Sequence, residues 1–175
     1  MKASVFSLGI RGIGIPFQKH EEIMFLRDIL GRSGRQWKEE TVEGGTGLSA
    51  FEKSVLLFSE DIKRREAETL SHTDIVLPFR ELPQEHTRFP NLSFTTYAVE
   101  DDRADFTARG LAALPGGDAG REGMRFELLC LGLIGRVCVP GLSKKQVEPL
   151  LGAASCLLAA GLPLAEVLEL INRRP

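Results

Sequence analysis

The chain is poor in the residues that usually announce a chemistry. Its 175 residues include three cysteines, three histidines, one tryptophan and one tyrosine. Cys130, Cys138 and Cys156 stand in apolar surroundings, and no Cys-x-x-Cys pair occurs. Such an odd, sparse set excludes a disulfide-framed small domain and predicts buried free thiols in a reducing compartment. Zinc-ligand spacing is missing too, so no metal is expected. A formal net charge of −2 leaves no bulk charge to hold nucleic acid or an anionic membrane. The most apolar stretch, Phe126 to Val139, is too short to span a bilayer and carries Arg136. Arg11 and several glycines interrupt the amino-terminal apolar run that an export signal needs. These absences together predict a cytoplasmic protein with no membrane span, no cofactor and no assembled catalytic residues.

What is present is globular in kind. A hydrophobic share of 43% and a charged share of 26% are ordinary for a folded domain. The length suits one domain over residues 1–175 with a sizeable core. The clearest structural signal is at the carboxyl end. Ser143 and Gln146 have capping-box spacing. Val147, Leu150, Leu151, Ala154, Leu157 and Leu158 then recur at helical spacing. Pro149 leaves two readings open, a kinked helix or one that starts late. Gly161 is a natural stop, and Pro163 suits the start of a second helix with Leu164, Val167, Leu168 and Ile171 on its buried face. This helix pair resembles those of small DNA-binding regulators, which would imply a nucleic-acid partner. Glu148, Glu166 and Glu169 would repel phosphates there, so the reading adopted is a hairpin that closes a core.

Several stretches could hold a site. Gly44, Gly45 and Gly47 precede an apolar-striped helix near 49–70 and could cradle an anion with backbone donors. No Gly-Lys-Ser or Gly-Lys-Thr follows them, which excludes the common triphosphate loop. Gly9, Gly12 and Gly14 run in the reverse order of the dinucleotide fingerprint, and Pro16 prevents a helix directly behind them. Arg32, Arg35, Trp37 and Lys38 form a basic stretch with one aromatic, able to stack on a base or grip a phosphate. The commoner role of such a tryptophan is to anchor its loop. His72 and Asp74 could pair as base and orienter for a cysteine nucleophile. Asp101, Asp102 and Asp105 could hold a cation, although a solvated turn is the simpler reading. Finally, Leu158, Leu162 and Leu170 lie away from the centre of the two apolar stripes, and so predict an outer face offered to a protein partner or to a second copy.

The expected fold is α+β, a single domain with one mainly antiparallel sheet packed by helices and a C-terminal helical hairpin. Strands are predicted at 3–10, 74–79, 92–99, 105–112 and 124–139, with 105–112 returning as the hairpin partner of 92–99. The last strand competes with a helical reading. Helices are predicted near 20–30, 49–70, 147–160 and 164–173. A non-enzymatic, regulatory or structural interaction protein, able to self-associate, is the functional expectation. The alternative is a small enzyme or small-ligand binder using His72, Asp74 and a cysteine.

Overall fold

The computed structural model describes residues 2–8, 11–16, 20–43, 73–82, 92–115 and 122–173. The amino-terminal alternation of apolar residues forms two strands, where one strand over 3–10 was expected. These are β1 (Lys2–Leu8) and β2 (Arg11–Pro16), antiparallel, with Leu8 opposite Arg11. Helix α1 (His20–Arg32) follows. It runs through Gly31 and stops at Gly34, which takes the left-handed conformation (φ 67°) that glycine adopts without a Cβ clash. The polar stretch behind it is a strand, β3 (Trp37–Glu43), paired antiparallel with β1. Its charged residues concealed it, since an edge strand need not alternate. The predicted helix near 49–70 lies outside the described residues.

Strands β4 (Thr73–Pro78) and β5 (Leu92–Val99) occupy the predicted places. Strand β6 (Phe106–Leu114) runs parallel to β5, where a hairpin was expected. The cause lies in residues 100–105. Glu100 takes a left-handed conformation (φ 58°). The Asp105 carboxylate then accepts hydrogen bonds from the Thr96 N–H (2.7 Å) and hydroxyl (2.8 Å). The chain is thereby returned to the level of Tyr97, and Phe106 starts a strand in the same direction. The ambiguous run 124–139 is neither one strand nor a helix. It is a hairpin of β7 (Gly123–Cys130) and β8 (Leu133–Pro140). Leu131 and Gly132, both at positive φ, make the two-residue turn.

Among the described residues the strands form one sheet in the order β3-β1-β2-β4-β5-β6-β7-β8. The outer pairs are antiparallel, and β2–β4, β4–β5 and β5–β6 are parallel. The α+β class and the mainly antiparallel sheet are as the sequence predicts.

Two more helices follow among the described residues. A 3-10 turn at Lys144–Gln146 leads into α2 (Val147–Ala159), and α3 (Leu164–Asn172) follows. Pro149 is the third residue of α2, in the first turn, where backbone N–H groups have no helical partner, so the α-helix starts later than Ser143 but two residues before Pro149. Ala160, Gly161 and Leu162 close α2. Gly161 (φ 91°) donates to the Leu158 carbonyl and Leu162 donates to the Leu157 carbonyl, a Schellman arrangement. Helix α2 lies against β4, β5 and β6, α3 lies against β8, and α1 packs on α2. Every residue of α2 from Leu150 to Leu157 is buried. A helix that is apolar all round belongs inside, and Gly152, Ala153 and Ala154 let its neighbours approach closely. Among the described residues, Ile23, Leu26, Ile29 and Leu30 of α1, Leu128 of β7, and Leu150, Leu151 and Leu157 of α2 are the largest fully buried side chains.

Candidate functional site

Two features stand out among the described residues: a buried polar cluster beneath α2 and an apolar corner of the sheet. The cluster is built by three elements. Tyr97 projects from β5 into the core, and its hydroxyl donates to Glu22 Oε1 of α1 at 3.1 Å. Both side chains are buried, Glu22 with 8% of its surface exposed. They meet where α2 carries Gly152. A Cβ there would stand 2.8 Å from Tyr97 Cζ and 2.9 Å from Glu22 Cγ. Burial, reinforced by the charge of Glu22, pushes the Tyr97 phenol well above its ordinary range. Burial also pushes the Cys156 thiol far up, with Glu22 adding to the shift. A phenol and a thiol held protonated in this way can donate hydrogen bonds but supply no nucleophile at neutral pH. The chemistry open to the cluster is cohesion between α1, β5 and α2. On the rim, the Arg80 guanidinium pairs with Glu148 of α2. Arg103 stacks 5.0 Å from the Phe79 ring centroid.

The apolar corner lies at the β7–β8 turn. Leu131 is 82% exposed, Leu133 60% and Ile134 56%. Leu129, opposite Ile134 on β7, is half-buried. Leu131 sits at the first turn position with φ 47°, a place that favours glycine or asparagine. A β-carbon there costs about 1–2 kcal/mol. Nothing in the packing of the core demands a leucine at that point.

The residues singled out from the sequence fall in different places. Leu162 and Leu170 are buried within the chain, at 7% and 9% exposure, and Leu158 is half-buried. Leu162 is the residue that a Schellman ending turns back onto Leu157, which accounts for its burial. Leu170 lies in the core cluster, and Arg32 of α1 donates to its carbonyl at 2.7 Å. The outer apolar face expected on the hairpin is thus largely taken up by the chain's own core. Gly44, Gly45, Gly47 and His72 lie outside the described residues. Asp74 lies in β4, opposite Ile13 of β2. Cys130 and Cys156 are buried, Cys138 is half-buried on β8, and all three are unpaired. The expected burial therefore fails in part at Cys138, which sits on the sheet's last strand.

The basic stretch is spoken for at two of its charges. Arg35 makes a bidentate pair with Glu166 of α3, both bonds at 2.7 Å. Arg32 pairs with Asp28 at 2.9 Å besides its bond to Leu170. Trp37 is half-buried against the core, the anchoring role. The acidic segment is likewise engaged. Asp101 binds Arg103 at 2.6 Å and 2.8 Å, which lowers its carboxyl to about 2. Asp105 holds Thr96. No group of three or more metal-ligating side chains occurs among the described residues. No helix among them is long and apolar enough to cross a membrane.

The sequence matches no family model and no curated protein. Among solved structures it is similar to the UDP-N-acetylmuramoylalanyl-D-glutamyl-2,6-diaminopimelate–D-alanyl-D-alanyl ligase from Acinetobacter baumannii. The identity is 14% and the TM-score 0.45, over 59% of this chain and 22% of that one. It is also similar to a UDP-N-acetylmuramoyl-L-alanyl-D-glutamate–2,6-diaminopimelate ligase, at 17% identity and TM-score 0.47, over 70% of this chain and 27% of that one. The chain thus spans only a minor part of either ligase, and similarity at this level does not transfer their chemistry.

Proposed function

We propose that the protein is a non-enzymatic interaction protein that meets a protein partner, another chain or a second copy of itself, at the β7–β8 corner. The observation that supports this is the exposed run Leu131, Leu133 and Ile134. Large apolar side chains exposed close together on a folded domain often mark a contact. Here one of them is presented on a two-residue turn at a backbone conformation that disfavours leucine. A polar residue or glycine would serve the turn better, so the apolar choice points to a contact made outside the fold. This reading puts the interaction surface at the tip of the strand hairpin and not on the outer face of the helical hairpin.

A photo-crosslinking residue at position 131 tests the reading, with one at Lys144, an exposed polar position, as control. The expected result is protein adducts from position 131, to a second copy or another chain, that Leu133→Lys abolishes. Equal yields from the two positions, or no effect of Leu133→Lys, would rule the corner out as an interface.

A further inference from the structure

Strand β8 is an edge of the sheet: among the described strands it has β7 on one side and nothing on the other. An edge strand presents a row of unpaired backbone groups and is a template for pairing with another chain. The composition of β8 sharpens the hazard. It reads Leu-Ile-Gly-Arg-Val-Cys-Val-Pro, with strong strand formers and a single charge. The pairing of Cys130 with Leu133 across the two-residue turn sets which groups face outward. In an antiparallel ladder the residues alternate, so Leu133, Gly135, Val137 and Val139 bond inward to β7. Ile134, Arg136 and Cys138 direct their N–H and C=O groups outward.

One side chain occupies the middle of that outward row. Asn172, the last residue of α3, accepts a hydrogen bond from the Cys138 N–H through Oδ1 at 2.8 Å. Its Nδ2 donates to the Arg136 carbonyl at 3.2 Å. A side-chain amide carries the same donor and acceptor as a peptide group. Asn172 therefore bonds to the edge as one residue of a ninth strand would. Helix α3 holds it there, because Leu168 packs directly over Gly135 of β8. The outward groups of Ile134 have no hydrogen-bond partner among the described residues. The Arg136 N–H and the Cys138 C=O are likewise without one, so four outward groups remain, two on Ile134 and one on each side of the Asn172 amide, which stands where an incoming strand would have to lie.

We propose that Asn172 is an edge guard: its amide occupies the outward backbone of β8 and so prevents this strand from pairing with the β8 of a second copy. The guard is separate from the apolar corner, since it acts through backbone hydrogen bonds at 136 and 138 and does not require contacts of Leu131 or Leu133. Removing the amide would expose a continuous outward row from Ile134 to Cys138. A second copy fits that row because an antiparallel pair of identical edges is self-complementary about a two-fold axis.

The test has two parts. In the wild-type protein, amide hydrogen exchange corrected for intrinsic rates should show Cys138 several-fold slower than Ile134. Equal rates would overturn the proposal, and this measurement needs no variant to fold. Then Asn172→Ala is compared with wild type by sedimentation velocity over a hundredfold concentration range. Asn172→Ala should associate more strongly, and adding Cys138→Pro should reverse the gain. That proline deletes the outward N–H while leaving the bonds to β7 in place. Sedimentation of Asn172→Ala identical to wild type, or association that Cys138→Pro leaves unchanged, would each show that the asparagine guards nothing.

Discussion

At the scale of single residues, the most telling contact joins Tyr97 to Glu22. A buried carboxylate is tolerated only where a donor meets it, and the phenol is that donor. Tyr97→Phe keeps the ring but leaves Glu22 Oε1 without this partner. The expected loss in urea unfolding is about 1–3 kcal/mol, the usual cost of an orphaned buried polar group. A change below about 0.5 kcal/mol would mean that water replaces the hydroxyl without penalty. Gly152 belongs to the same contact, because any side chain there meets both partners. None of this is legible in the sequence. Glu22 reads as a first-turn acid suited to the helix dipole, and Gly152 reads as a weakness in a helix. Their meaning comes from a crossing of elements far apart in the chain.

At the scale of elements, the helices were more legible than the strands. The boundaries of α2 and α3 follow from residues that act locally: Pro149 in the first turn, Gly161 at the stop and Pro163 before the restart. The strands depend on partners. Residues 92–99 have the composition of a strand and are one, yet their neighbour β6 runs parallel because of the Asp105–Thr96 bonds. The run 124–139 satisfied two periodicities because its helical face counted Leu129, Leu133 and Ile134, which the hairpin leaves half-buried or exposed, together with the buried Phe126, Cys130 and Val137. Docking of α3 on β8 offers a test at this scale. A Cβ at Gly135 would come within 2.4 Å of Leu168 Cδ1. Gly135→Val should lower stability by about 1–3 kcal/mol, as overpacking does. Shortening the opposing side chain with Leu168→Ala should restore part of that loss. If Leu168→Ala only adds to the damage, the two residues do not oppose one another.

At the scale of the whole molecule, the three thiols report on different depths of one structure. Cys138 is half-buried at the sheet edge, while Cys130 and Cys156 are buried. Burial raises the thiols of Cys130 and Cys156, so both are poor thiolates as well as poorly accessible. Under native conditions a thiol reagent should modify Cys138 first and Cys130 more slowly. Cys156, inside the buried stretch Leu150–Leu157 of α2, should react only with global unfolding. Labelling followed by mass spectrometry checks the order. Modification of Cys156 in step with Cys138 would show that α2 opens locally, against its position between the sheet and α1.

The sequence by itself determined the class of fold, the C-terminal helix pair and its joint at Gly161, and the strands at β4 and β5. Those features rest on periodicity, capping and turn chemistry, which act between residues a few places apart. It also determined that the thiols would be free, since the three cysteines are an odd, sparse set in apolar runs. Only the tertiary structure decided where apolar residues end up. Leu162 and Leu170 were expected to face outward, and the turn at Gly161 and the packing of α3 put them inside. Leu131, Leu133 and Ile134 were expected to lie within one strand and instead form an exposed corner. Periodicity shows which residues share a face, but not which faces find a partner. That choice is made by contacts between residues distant in the chain, as with Asn172 and the edge of β8.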